Sequence, residues 1–85
     1  MKAVVLYTSA PDVMKTAPVH YPAHKARVDE FQARGELLMV GTFDPVTIGS
    51  MAIFSDRAAA EAFVAEDPFV VNGVVASYEI RDWNA

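Results

Sequence analysis

Two short apolar runs, Leu37 to Phe43 and Ser50 to Phe54, are separated by a segment that opens on Asp44-Pro45 and closes on Gly49. Turn formers between strand-like runs at this spacing predict an antiparallel hairpin. The hairpin sits mid-chain, so whatever flanks it must supply the rest of the core. Lys2 to Thr8 is β-branched, aromatic and apolar with little helical period, which predicts a first strand. Ser9 to Val19 holds Pro11 and Pro18 and reads as a loop. Pro22 suits a first helical turn, and Ala23 to Arg34 continues as helix until Gly35, a natural C-terminal cap. On that helix His24, Val28 and Phe31 share one face, with His24 in the first turn. Beyond the hairpin, Ser55-Asp56 offers N-cap chemistry for a second helix from Arg57 to about Glu66, with Ala59, Ala62 and Phe63 as its buried stripe and Pro68 ending it. Asn72-Gly73 then turns the chain into a last strand, Val74 to about Asp82.

The order is βαββαβ, the ferredoxin-like or split βαβ arrangement of an α+β domain, and residues 1–85 have room for one such domain. An antiparallel sheet with both helices on one face follows. Leu37-Leu38-Met39-Val40 and Met51-Ala52-Ile53-Phe54 are apolar at consecutive positions, so apolar side chains reach both faces of the sheet. The helix-free face therefore needs a cover, and the same face of a second copy is the simplest one. At ~25 cal/mol per Å2 of apolar surface, an interface of several hundred Å2 would rival the whole stability of so small a monomer. A homodimer packed through its sheets is expected.

Composition narrows the chemistry. With no Cys, thiolate metal sites, disulfides and Cys nucleophiles are excluded. The net charge is −4 and the Lys and Arg residues are scattered singly, so no basic stripe exists to neutralise a nucleic-acid backbone. The apolar N-terminal run is too short for a signal-peptide core, and nothing approaches the ~20 residues of a membrane span. A cytoplasmic protein that binds neither membrane nor nucleic acid is the expectation.

Two ionisable groups stand at helix ends. His24, placed in a first turn, would feel the positive end of the helix dipole, which favours the neutral, proton-accepting ring of a general base. Asp67 falls just past the last turn of the second helix, where a carboxylate could orient that imidazole and stabilise its charged form. Each has a plainer reading: His24 satisfied by a carbonyl, Asp67 in an Asx turn before Pro68. Arg27, three residues after His24, could hold an anionic or carbonyl-bearing ligand beside the base, or pair with a surface carboxylate. Ser50 could reach a ligand from its strand start, or serve as an ordinary hairpin polar residue. His20 and His24 are four apart, but Pro22 between them predicts that His20 precedes the helix, so no metal site is expected.

The segments Pro22-Ala23-His24-x-Ala26-Arg27, Gly35-Glu36-Leu37-Leu38 with Gly41, Gly49-Ser50, and Glu66-Asp67-Pro68-Phe69-x-x-x-Gly73-Val74 resemble, in this order, the YCII-related domain proteins. The resemblance implies a ferredoxin-like fold, a dimer, and an active site around His24 and Asp67. It implies no particular substrate. The two sources together point to a small enzyme of lyase or isomerase type, with His24 and Asp67 as acid–base pair, Arg27 and Ser50 on the substrate, and no cofactor. The alternative is a non-catalytic dimer that binds a small metabolite or serves in assembly.

Overall fold

The computed structural model describes all residues, 1–85, as four strands and three helices: β1 (Lys2–Ser9), α1 (Val13–Ala33), β2 (Leu37–Thr42), β3 (Gly49–Phe54), α2 (Arg57–Glu66), α3 (Pro68–Val71) and β4 (Val75–Trp83). The sheet has the order β2-β3-β1-β4 with every neighbouring pair antiparallel. This is the ferredoxin-like arrangement, with the central hairpin in the expected place. Alternation along β1 sends Ala3, Val5 and Tyr7 to one face, opposite Phe54, Ala52 and Ser50 of β3. Val28 and Phe31 of α1 and Ala59, Ala60, Phe63 and Val64 of α2 join them in one core, so both long helices cover the same face.

Two helical details differ from expectation. The segment 9–19 is not a loop, because α1 begins at Val13 and runs through both Pro18 and Pro22. A proline ring fits helical φ but denies a hydrogen bond to the carbonyl four residues back. Here those carbonyls belong to Met14 and Pro18, which lie exposed, so water can replace the missing donors. On α2 the buried residues are Ala59, Ala60, Phe63 and Val64, whereas Ala62 is exposed. The helix presents two adjacent rows to the sheet instead of one.

Local capping agrees with the sequence. The Asp56 carboxylate accepts the Ala59 N–H at 2.8 Å. At the end of α1, Gly35 takes φ +74°, while its own N–H donates to Gln32 and that of Glu36 to Phe31. That pairing closes the helix as a Schellman turn. Past α2 the chain makes one further helical turn, α3, which the sequence reading did not foresee. Asp67 sits at the α2–α3 joint and accepts the Phe69 N–H at 3.1 Å.

The opposite face of the sheet carries Val4 and Leu6 of β1 beside Ile53 and Met51 of β3, with Met39 of β2 next in line. No helix of the chain covers it. No helix is long and apolar enough to cross a membrane.

Candidate active site

The joint between α2 and α3 points Asp67 inward, under α1 and against the end of β1. Its side chain is fully buried, the only polar or charged residue buried in the core. A buried carboxylate is tolerated when its lone pairs are occupied. Oδ1 accepts from His24 Nδ1 at 2.7 Å and from the Phe69 backbone N–H, and Oδ2 accepts the Tyr7 hydroxyl at 2.6 Å. Three elements distant in sequence thus converge on one carboxylate.

His24 is held on three sides. Its ring stacks on Phe69 with centroids 3.8 Å apart and an interplanar angle of 1°. Phe63 meets it edge-on at 6.3 Å. With Nδ1 engaged by an acceptor-only carboxylate, the neutral ring carries its proton on Nδ1 and its lone pair on Nε2. The ring lines a cavity of about 490 Å3 between α1 and the sheet, within the ~300–1,000 Å3 usual for small-molecule sites. The helix-dipole argument for His24 does not hold, since the ring sits near the middle of α1, far from either end. The carboxylate, not the dipole, sets its proton.

Tyr7 lines the same cavity. Burial pushes its phenol far above the ordinary tyrosine value, and the charge and hydrogen bond of Asp67 push it further the same way. It stays a proton donor at any physiological pH. Nothing in the sequence reading gave Tyr7 a role, although the signal was there: β1 alternation turns it inward beside Ala3 and Val5, and a buried phenol needs an acceptor. Phe69 belongs to the Asp67-Pro68-Phe69 segment but had no assigned task either.

The remaining expected site residues fare differently. Ser50 lines the cavity floor, opposite Tyr7 on β1 and Thr42 on β2. Arg27 does not line it. Its Nε donates to the Phe63 carbonyl at 3.1 Å and a terminal nitrogen to the Ala62 carbonyl at 2.7 Å, with Glu66 at 3.8 Å. These carbonyls lie near the C-terminal end of α2, where the helix presents its negative pole, so Arg27 is drawn to that end. Lys25, at the cavity rim, is paired with Asp29 one turn along the helix. That hydrogen bond raises its pKa, so it remains a cation and not a base. His20 lies on α1 one turn before His24, correcting its expected place ahead of the helix. No group of three His, Asp or Glu side chains gathers anywhere that could hold a metal ion.

Chemically, the cavity offers one lone pair on a rigidly held imidazole, aromatic walls from Tyr7, Tyr21, Phe63 and Phe69, and the hydroxyls of Ser50 and Thr42 on the floor. No curated protein matches the sequence. Among solved structures, 5-chloro-2-hydroxyhydroquinone dehydrochlorinase from Burkholderia phenoliruptrix AC1100, in complex with 2,5-dihydroxybenzoquinone, superposes with a TM-score of 0.78. The two are 22% identical, over 99% of this chain and 94% of that one, and the likeness establishes a shared fold. The family model of the YCII-related domain matches residues 1–84, so the chain belongs to the YCII-related domain family.

Proposed function

We propose that this protein is a small enzyme of lyase or isomerase type that acts on a hydroxylated ring compound, with His24 as general base and acid and Asp67 as its orienting partner. The observation that carries the reading is the Nδ1 to Oδ1 contact of 2.7 Å, which leaves the Nε2 lone pair unengaged on a ring that lines a mostly apolar cavity of ring-compound size. Proton removal by Nε2 turns the ring into an imidazolium, and the buried carboxylate beside it stabilises that charge where water cannot.

A halogenated hydroxybenzene illustrates the chemistry. Nε2 takes a hydroxyl proton, and the O–H electron pair moves into the ring as a carbonyl forms. Return of that proton from Nε2 to a ring carbon isomerises the compound. Departure of halide from that carbon with its bonding pair, together with loss of a second hydroxyl proton, completes net elimination of the hydrogen halide without an oxidant. Ser50 would hold a ring oxygen during these steps. The structural relative that eliminates chloride and holds a dihydroxybenzoquinone supports this substrate class. Arg27, engaged on α2, has no place in the proposal.

The working unit is proposed to be a two-fold homodimer joined through the helix-free sheet face. The row of Val4, Leu6, Met39, Met51 and Ile53 supports it, since so much contiguous apolar surface is rarely left to water.

The test is incubation of the protein with a panel of chlorinated and unchlorinated hydroquinones, following chloride release and product structure by NMR. Release of chloride or formation of an isomer is the expected result. Recovery of bound compounds unchanged would replace the enzyme with a binding protein.

A further inference from the structure

Tyr7 spends a buried hydroxyl on a residue that already has two other donors, and the proton balance of the site explains why. An ionised, fully buried Asp67 next to a histidine would ordinarily draw a second proton onto that ring, because an ion pair is cheaper than a bare buried anion. A protonated Nε2 has no lone pair and cannot act as a base. At Oδ2 the carboxylate receives a short hydrogen bond of 2.6 Å from a phenol that itself does not ionise.

We propose that Tyr7 is a positioning residue that keeps His24 ready as a base: its hydroxyl, fixed against Oδ2, offsets enough of the Asp67 charge that the resting imidazole need not take up the second proton. Tyr7 acts through Asp67 and not on the substrate. The carboxylate is thereby divided, with Oδ2 given to Tyr7 for charge control and Oδ1 to His24 for orientation.

No other ionisable group near the pair performs this task. On α1, Arg27 is bound to the Phe63 and Ala62 carbonyls with Glu66 beside it, and Lys25 is turned to Asp29. Tyr21, also on α1, leans on the His24 ring with centroids 6.3 Å apart and gives the carboxylate no hydrogen bond. On β4, Tyr78 meets Tyr7 edge-on at 6.4 Å and likewise donates nothing to Asp67. Tyr7 is the one protein group that donates to Oδ2.

The inference rests on His24 being the base, and its test needs no substrate, so its failure can be told apart from a failure to find turnover. Nitrogen-15 NMR of the histidine rings reports directly which ring nitrogens carry protons. In wild-type protein near neutral pH, His24 is expected to show a protonated Nδ1 and a bare Nε2. In Tyr7→Phe, which keeps the ring and its packing, Nε2 is expected to be predominantly protonated, and Val5→Ala on the same strand is expected to leave it bare. A bare Nε2 in both wild type and Tyr7→Phe would overturn the proposal, as would a protonated Nε2 in the wild type. Protonation in the Val5→Ala variant would reduce the effect to loosened packing and overturn it equally. Should Tyr7→Phe not fold, the wild type decides: an exchange-protected hydroxyl proton of Tyr7 at low field supports the assignment, and its absence refutes it.

Discussion

Asp67 carries more of this site than its single charge suggests, since it caps a helical turn, fixes the tautomer of His24 and accepts the Tyr7 hydroxyl in one buried carboxylate. Replacing His24 by Ala removes the proton acceptor itself, and turnover should fall by ~10²–10⁴-fold, the usual worth of a positioned general base. Steady-state kinetics on whichever ring compound is turned over will check this. Tyr7 gives a separate, activity-free prediction. Its phenol is raised above the ordinary value of 10.0 in the folded state, so at high pH the unfolded chain loses the proton first. The native fold then binds more protons than the unfolded one. Stability due to this group is complete below about pH 10 and declines above it by up to ~1.4 kcal/mol per pH unit. Urea titrations at pH 8 and above about pH 10 should show that decline in the wild type and a shallower one in Tyr7→Phe. Asp67 was legible as an ionisable group at a helix boundary, whereas His24 stood out on the apolar stripe of α1 although the boundary expected beside it lies eleven residues earlier, at Val13. Their pairing was an expectation, but the way it is made was not, since it depends on a single turn of helix that swings Asp67 inward. Arg27 misled because spacing put it near His24, while the carbonyls that claimed it belong to a helix 35 residues further along.

Element by element, the hairpin, both long helices and four strands were readable from turn formers, caps and alternation. The first nine residues of α1, Val13 to Tyr21, were not, because Pro11 and Pro18 outweighed the spacing of Val13, Ala17, Tyr21, His24 and Val28. Proline forbids a hydrogen bond, not a helix, when the orphaned carbonyl faces water. Gly49, by contrast, is compulsory for a reason that sequence alone does not display. It adopts φ +150°, and a Cβ there would lie 1.9 Å from the Tyr7 carbonyl oxygen on the neighbouring strand. That contact is with backbone, so no side-chain adjustment relieves it. Gly49→Ala should destabilise the fold by about 3 kcal/mol or more, as severe overpacking and backbone strain do, with a matching loss in urea midpoint. An Ala at Gly41, which has open space around its α-carbon, should cost far less.

For the whole molecule, the sheet is the dividing plane: one face holds the core and the candidate cavity, the other an apolar surface that the chain itself does not cover. Consecutive apolar residues in β2 and β3 made that second surface predictable from sequence. A homodimer through it predicts twice the monomer mass of 9.3 kDa in sedimentation equilibrium. Met51→Lys, a change at a partly exposed position opposite Leu6, should shift that equilibrium to monomer while leaving the monomer fold intact. A wild-type monomer at high concentration would remove the dimer from the account without touching the cavity. The cavity stands or falls on the His24–Asp67 pair, and Asp67→Asn probes it with little change of shape. An amide at this position can donate to Nδ1, which transfers the ring proton to Nε2 and fills the lone pair that the chemistry needs. The decisive measurement is chloride release from the chlorinated hydroquinones of the proposed substrate class by wild type and Asp67→Asn, with binding of a hydroxylated quinone measured on both. Release by the wild type, reduced at least ~100-fold in the variant while the quinone still binds, is the predicted result. Equal release by the two proteins, or none by a wild type that binds the compound, would contradict it.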